Sequence, residues 1–214
     1  MNQHNQEPVQ AHASYDERYT AYQTNRSALR RLVRRHYLNT AARLSVGPAL
    51  DFGCGTGELL RRLPKGSIGI EYNQSTVAHC QNAGLDVVHY DGFKDDFSLS
   101  TIAWRGRVST LFLSHVLEHF DDPTHVLCRI ARSVESDIER IVIIVPGMAG
   151  FRIDPTHRTF VDECLLEAAV AQLPHWRVTS SRYFPFNLSR AGDYFAHNEL
   201  QVVLDRQAGA PLNL

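Results

Sequence analysis

Short apolar runs alternate along this chain with segments whose apolar positions recur at helical spacing. The runs at 49–52, 68–71, 86–90, 109–113 and 140–145 predict buried strands. Between them, 57–63, 74–83 and 123–134 read as helices, and 161–171 as another after a long loop. Ahead of the first strand, Leu29, Leu32, Val33, Tyr37 and Leu44 fall near one helix face, predicting a helix over 26–44. The chain closes with two strands, 176–184 and 198–205, that read as an antiparallel pair. Strands alternating with helices predict an α/β domain. The expected sheet is doubly wound, seven-stranded and mostly parallel, with helices on both faces and an antiparallel C-terminal strand. Residues 1–13 are polar and 14–24 carry Tyr15, Tyr19 and Tyr22, so 1–25 reads as a flexible arm ahead of a single domain at 26–214.

The first strand ends in the densest glycine cluster of the chain, Ala49-Leu-Asp-Phe-Gly-Cys-Gly-Thr-Gly57. Glycine is required where the backbone takes positive φ or where a ligand presses against it. Right-handed crossovers place this loop at the carboxyl edge of the sheet, by the switch point where ligands bind. The free N–H groups at the start of the next helix suit an anion. The second strand ends in Glu71, an acid able to take both hydroxyls of a ribose. Loop and acid together describe a site for a nucleoside carrying a carboxylate or phosphate. The spacing is G-x-G-x-G rather than the dinucleotide G-x-G-x-x-G, and no Gly-Lys-Ser/Thr tripeptide of a phosphate loop occurs.

These stretches, with Gly69-Ile-Glu71, Tyr90-Asp-Gly92, Leu113-Ser-His-Val-Leu-Glu-His-Phe-Asp-Asp-Pro123 and Ile144-Val-Pro-Gly147, resemble the class I S-adenosylmethionine-dependent methyltransferases. The five motifs stand in that family's order, and the resemblance runs from about Ala49 to the C-terminal strands. It implies a Rossmann-like methyltransferase fold and S-adenosyl-L-methionine as cofactor. Carried over residue by residue, Asp51, Gly53, Cys54 and Gly55 would lie along the methionine part, with Cys54 contributing backbone. Glu71 would take the ribose, with Tyr72 beside it. Asp91 and Gly92 stand where the family often contacts the adenine amino group, although Asp91 also reads as the acid of an Asp-Gly turn. Ser114 and His115 would border the methionine and sulfonium.

Three further features bear on the acceptor. His115-Val-Leu-Glu118-His119 matches the H-x-x-E-H form of a metalloprotease, but that chemistry needs both histidines on one long helix. Leu111 to Leu113 reads as strand and Pro123 follows within a turn, so no metal is expected and Glu118 and His119 read as a packed turn. The loop 146–160 holds Asp154-Pro-Thr-His157-Arg158, where family members often carry a histidine. His157 reads either as a general base or as the brace of an Asp-Pro turn. Tyr15 and Tyr19, four apart, read either as a lid or as an arm packed on the sheet edge. Arg30, Arg31, Arg34 and Arg35 read as a solvated basic face or as a preference for a negatively charged acceptor. Phe184, Phe186, Tyr194 and Phe195 would serve an aromatic-sided acceptor site or the core equally well.

Composition narrows the classes. The 214 residues are 43% hydrophobic, enough for a full core, and the net charge of −1 points to no polyanionic partner such as nucleic acid. No apolar run reaches membrane-spanning length, and Met1 to Pro8 is polar rather than signal-like. Cys54, Cys80, Cys128 and Cys164 are dispersed without a C-x-x-C pair, as expected of free thiols in the cytoplasm. The function expected is direct methyl transfer to a small-molecule or carrier-linked acceptor. Two rivals stand: a cofactor-binding regulatory or assembly protein without turnover, and an NAD-dependent oxidoreductase on a related fold.

Overall fold

The structure, a computed structural model, describes residues 28–207, with side chains in the first helix from Arg34 onward. The expected arm, including Tyr15 and Tyr19, and the side chains of Arg30 and Arg31 lie outside the described residues. In chain order the elements are α1 (Ala28–Ala42), β1 (Ala49–Phe52), β2 (Ile68–Glu71), α2 (Gln74–Asn82), β3 (Val87–His89) and β4 (Thr110–Ser114). There follow α3 (Pro123–Val134), β5 (Arg140–Pro146), the single turn α4 (Met148–Phe151), α5 (Glu163–Val170), β6 (Trp176–Phe184) and β7 (Glu199–Arg206).

Among the described residues these strands form one seven-stranded sheet in the order β3-β2-β1-β4-β5-β7-β6. Strands β1 to β5 pair in parallel, and β7 runs antiparallel to both β5 and β6. Parallel strands covered on both faces need apolar side chains on both, which is why Leu111 to Leu113 and Ile141 to Val145 read as unbroken runs; all are wholly buried. On one face, Leu50, Leu111, Leu113, Ile141 and Ile143 pack with Val126, Leu127, Ile130 and Val134 of α3 and Leu166 and Ala169 of α5. On the other, Ala49, Phe112, Val142 and Ile144 pack with Tyr37, Leu38 and Ala41 of α1 and Val77 and Cys80 of α2.

The helix starts are set by short polar caps. Asn73 accepts from the amides of Ser75 and Thr76, Asp122 from His125 with Pro123 as first residue, and Asp162 from Leu165. Each satisfies an amide that the helix itself leaves without a partner. One expected element is different. No α-helix forms at 57–63: a turn leads into a single 3-10 helix, Leu60–Arg62. Arg61 donates to Gly57 O at 3.1 Å, but Arg62 and Leu63 donate only three residues back. Pro64 has no N–H and forces Leu63 into extended backbone (φ −72°, ψ 158°), so the helix cannot propagate. The segment is held instead by Arg34 of α1, which pairs with Glu58, while the segment's own Arg62 donates to the Glu58 carbonyl. Arg34, one of four arginines read as a solvated face or as a preference for a negatively charged acceptor, is thus committed to a half-exposed ion pair within the fold.

The chain runs β1-β2-β3 outward and then returns to β4 on the far side of β1. The connections leaving the carboxyl ends of β1 and β4 therefore run in opposite directions along the sheet, opening the crevice that houses ligands in sheets of this type.

Candidate active site

Beyond Phe52 the backbone turns back under β2. The amides of Gly53 and Cys54 donate to Ile70 O at 2.9 and 3.0 Å. Gly53, Gly55 and Gly57 take φ of +67°, +52° and +73°, values that cost an ordinary L-residue about 1–2 kcal/mol. Gly69 in β2 is needed for closeness instead. A Cβ there would meet Cys54 Sγ at 2.7 Å and Leu60 Cδ2 at 2.9 Å, so the loop could not lie flat on the strand.

Glu71 closes this corner. Its Oε2 accepts from Gly55 N and its Oε1 from Asn73 N, both at 2.9 Å. The carboxylate is fixed in orientation while only half-buried, which leaves lone pairs for a further donor. Asp51 is different: 2% exposed, with Oδ2 unpartnered among the described residues. Burial, then the charge of Glu71, pushes its carboxyl up to about 8.

Next to Glu71 is a cleft of about 100 Å³ lined by Phe52, Gly53, Ile70, Glu71, Tyr72, Tyr90, Gly92, Phe93, Phe97 and Phe120. Phe93, Phe97 and Phe120 form a mutual cluster with ring centroids 5.3–5.8 Å apart. Phe97 packs against Gly92, where a Cβ would meet its ring at 2.6 Å. The cleft joins an acid fit for vicinal hydroxyls to an apolar slot fit for a flat heterocycle. Asp91 lies outside its lining: Oδ1 accepts from Phe93 N at 3.2 Å and Oδ2 faces Lys94 Nζ at 3.3 Å, the geometry of a turn acid.

A second group of residues gathers at the ends of β4 and β5. His115 has φ of +58°, in the left-handed region, with its amide held by Ile144 O at 2.8 Å. Its Nδ1 lies 3.1 Å from Glu118 Oε1, and its Nε2 lies 3.0 Å from Glu199 Oε2, outside hydrogen-bonding alignment. Glu118 is fully buried. Burial also holds the Glu199 carboxyl well above the usual carboxylate range. His157, its side chain 8% exposed, stacks on Phe151 and directs Nε2 toward Glu118 Oε1 at 3.9 Å and Asp154 Oδ2 at 4.0 Å. The segment 186–198 borders the same edge because Gly147 and Gly192 meet. A Cβ on Gly147 would come within 2.5 Å of Asn198 O. Phe186, Leu188 and Tyr194 of this segment are exposed.

The structure thus brings Gly53, Glu71, Tyr72 and Gly92 around one cleft, with Cys54 and Gly55 in its floor loop, Asp51 buried behind them, and Ser114 ending β4 beside them. His115 and His157 converge on Glu118 instead. The aromatic lining escaped the sequence reading. Phe93, Phe97 and Phe120 come from loops with no periodicity, and only the proximity of Phe93 to Asp91-Gly92 pointed that way. Glu199 was read simply as part of a strand.

A family model described as a methyltransferase domain matches residues 22–203, so the chain belongs to the methyltransferase-domain family, of the class I S-adenosylmethionine-dependent type. No curated protein matches the sequence significantly. Similar solved structures include a SAM-dependent methyltransferase from Archaeoglobus fulgidus (TM-score 0.57, 18% identity, 81% of this chain and 94% of that one). Magnesium protoporphyrin IX methyltransferase from Synechocystis PCC 6803 with bound SAH is another (0.54, 13%, 96% and 90%). A third is the [4+2]-cyclase SpnF (0.59, 17%, 82% and 81%). At these identities the likeness is one of fold.

Proposed function

We propose that this chain transfers the methyl group of S-adenosylmethionine to a small-molecule or carrier-linked acceptor by direct displacement. The observation that carries the reading is Glu71, fixed by the Gly55 and Asn73 amides at the mouth of an aromatic cleft. The carboxylate accepts both ribose hydroxyls, the rings of Phe93, Phe97 and Phe120 enclose the adenine, and the glycine loop lies along the methionine. An acceptor lone pair attacks the methyl carbon, the carbon–sulfur electron pair stays on sulfur, and the acceptor's proton leaves to solvent. The sulfonium is already activated, so alignment in a water-poor site supplies most of the rate.

The exposed Phe186, Leu188 and Tyr194 on the acceptor edge favour an acceptor with an apolar body. Among the described residues no helix is long and apolar enough to cross a membrane. All four cysteines are free, which supports a reducing compartment.

The test is thermal stabilisation of the protein by S-adenosylmethionine and S-adenosylhomocysteine, with NAD as control. At 100 times Kd, a ligand specific for the native state adds about 2.7 kcal/mol, or roughly 5–10 °C for a chain of this size. Transfer of labelled methyl to a metabolite pool then separates turnover from binding alone. Stabilisation by NAD, or by neither sulfur nucleoside, would refute the reading. Stabilisation without transfer would favour the regulatory alternative.

A further inference from the structure

The loop after β5 is tied across the turn after β4 by two backbone bonds, from Arg158 N and Thr159 N to Glu118 O at 2.8 and 3.2 Å. This brings Glu118, His119 and His157 together, one ligand atom from each within 4.8 Å of the others. Hydrogen bonds fix what each presents. His157 Nδ1 lies 2.8 Å from Phe151 O, which only accepts, so Nδ1 carries the proton and Nε2 offers its lone pair. The Thr156 hydroxyl donates to Asp154 Oδ1 at 2.6 Å, so toward His119 Nδ1 at 3.2 Å it accepts, leaving His119 Nε2 bare as well. Glu118 is fully buried and, among the described residues, its Oε2 has no hydrogen-bond partner. A buried carboxylate, met by His115 Nδ1 on Oε1 alone, thus gathers with two imidazoles that each offer a ligand nitrogen. Such an arrangement is costly without a positive charge at its centre.

We propose that Glu118, His119 and His157 bind one divalent transition-metal ion. Two imidazoles and a carboxylate suit zinc, manganese or ferrous iron and leave positions open for water or another oxygen. His115 braces Glu118 at 3.1 Å, while the Phe151 carbonyl and the Thr156 hydroxyl brace the two imidazoles from behind. Ligands sharing an ion at about 2.1 Å lie about 3–3.5 Å apart, so the cluster tightens by about an ångström on loading. His119, at the half-exposed side, supplies that movement. In this assignment the ligands differ from those of the H-x-x-E-H form: His115 Nδ1 is engaged with Glu118, and His157 from another loop takes its place. Resting on the methyl-transfer reading, an open position on this ion would hold an acceptor oxygen and ease loss of its proton.

The experiment is titration of the chelator-stripped, tag-free full chain with Co²⁺, followed by visible absorption and calorimetry, then competition by Zn²⁺. Neither cofactor nor acceptor is added, so failure here is distinguishable from failure of the methyl-transfer reading. One Co²⁺ per chain is expected, displaced by Zn²⁺, with binding weakened at least tenfold in His119→Ala and in His157→Ala. His115→Ala should weaken it roughly 10- to 100-fold. His125→Ala, on the surface beside Asp96, should leave it unchanged. Circular dichroism confirms folding, and if His157→Ala unfolds, the half-exposed His119→Ala decides. No Co²⁺ binding by the folded chain, or binding unaffected by His119→Ala, overturns the proposal.

Discussion

Replacing Glu71 with alanine separates the structural and binding roles of one carboxylate. In the free protein it holds the amides of Gly55 and Asn73, each at 2.9 Å. Losing them leaves two half-buried donors that water partly recovers, at about 1 kcal/mol each, the low end of the range for unmade hydrogen bonds. Stability should fall by about 2 kcal/mol, or roughly 4–8 °C in Tm. Binding loses more. Two ribose hydroxyls donating to an ionised carboxylate are worth about 1.5–3 kcal/mol each, so at least 3 kcal/mol disappears and Kd for S-adenosylmethionine rises by about 100-fold or more. Glu71→Gln keeps one acceptor oxygen and should fall between. Calorimetry of the three proteins well below their Tm reads binding apart from stability. If Glu71→Ala binds S-adenosylmethionine within about threefold of the parent, the carboxylate does not hold the ribose and the site assignment fails.

Other consequences are open to direct test. Phe93 is 73% exposed, so Phe93→Ala should leave stability within about 0.5 kcal/mol, yet weaken cofactor binding about fivefold or more through lost stacking. Asp91→Asn, in its turn outside the cleft, should change that affinity little; a large loss would return Asp91 to the adenine. Gly69→Ala forces a Cβ against Cys54 and Leu60 and should cost about 1–3 kcal/mol in urea unfolding, with a normal backbone φ ruling out strain as the cause. Asp51 has its carboxyl pushed up from 3.8 to about 8, chiefly by burial. The folded state therefore binds this proton more tightly than the unfolded one, and the resulting stability is full below pH 4 and lost as pH rises through about 8. The positive sulfonium and ammonium of the cofactor act in the opposite direction, so binding near pH 7.5 should release up to about one proton. Calorimetry in buffers of different ionisation enthalpy measures it, and Asp51→Asn should abolish it. A buffer-independent enthalpy in the parent would show that Asp51 does not sense the cofactor.

What the sequence determined by itself is whatever depends on neighbours along the chain. A short apolar run placed β1 and period-3.6 patterning placed α3 to the residue, because the side chains that bury a strand or helix lie within it. Glycines at 53, 55 and 57 were legible because positive φ is a property of single residues, and Glu71 because strand order alone sets it beside that loop. The failed helix at 57–63 was legible only in part: Pro64 stands in the sequence as a breaker, whereas the hold of Arg34 on Glu58 from α1 is tertiary. Tertiary structure alone assembled the aromatic cleft, whose rings come from three separate stretches. It alone joined His157 to Glu118 across two loops. Those contacts depend on how the sheet's crossovers bring distant loops to one edge, and no local period records where two loops will meet.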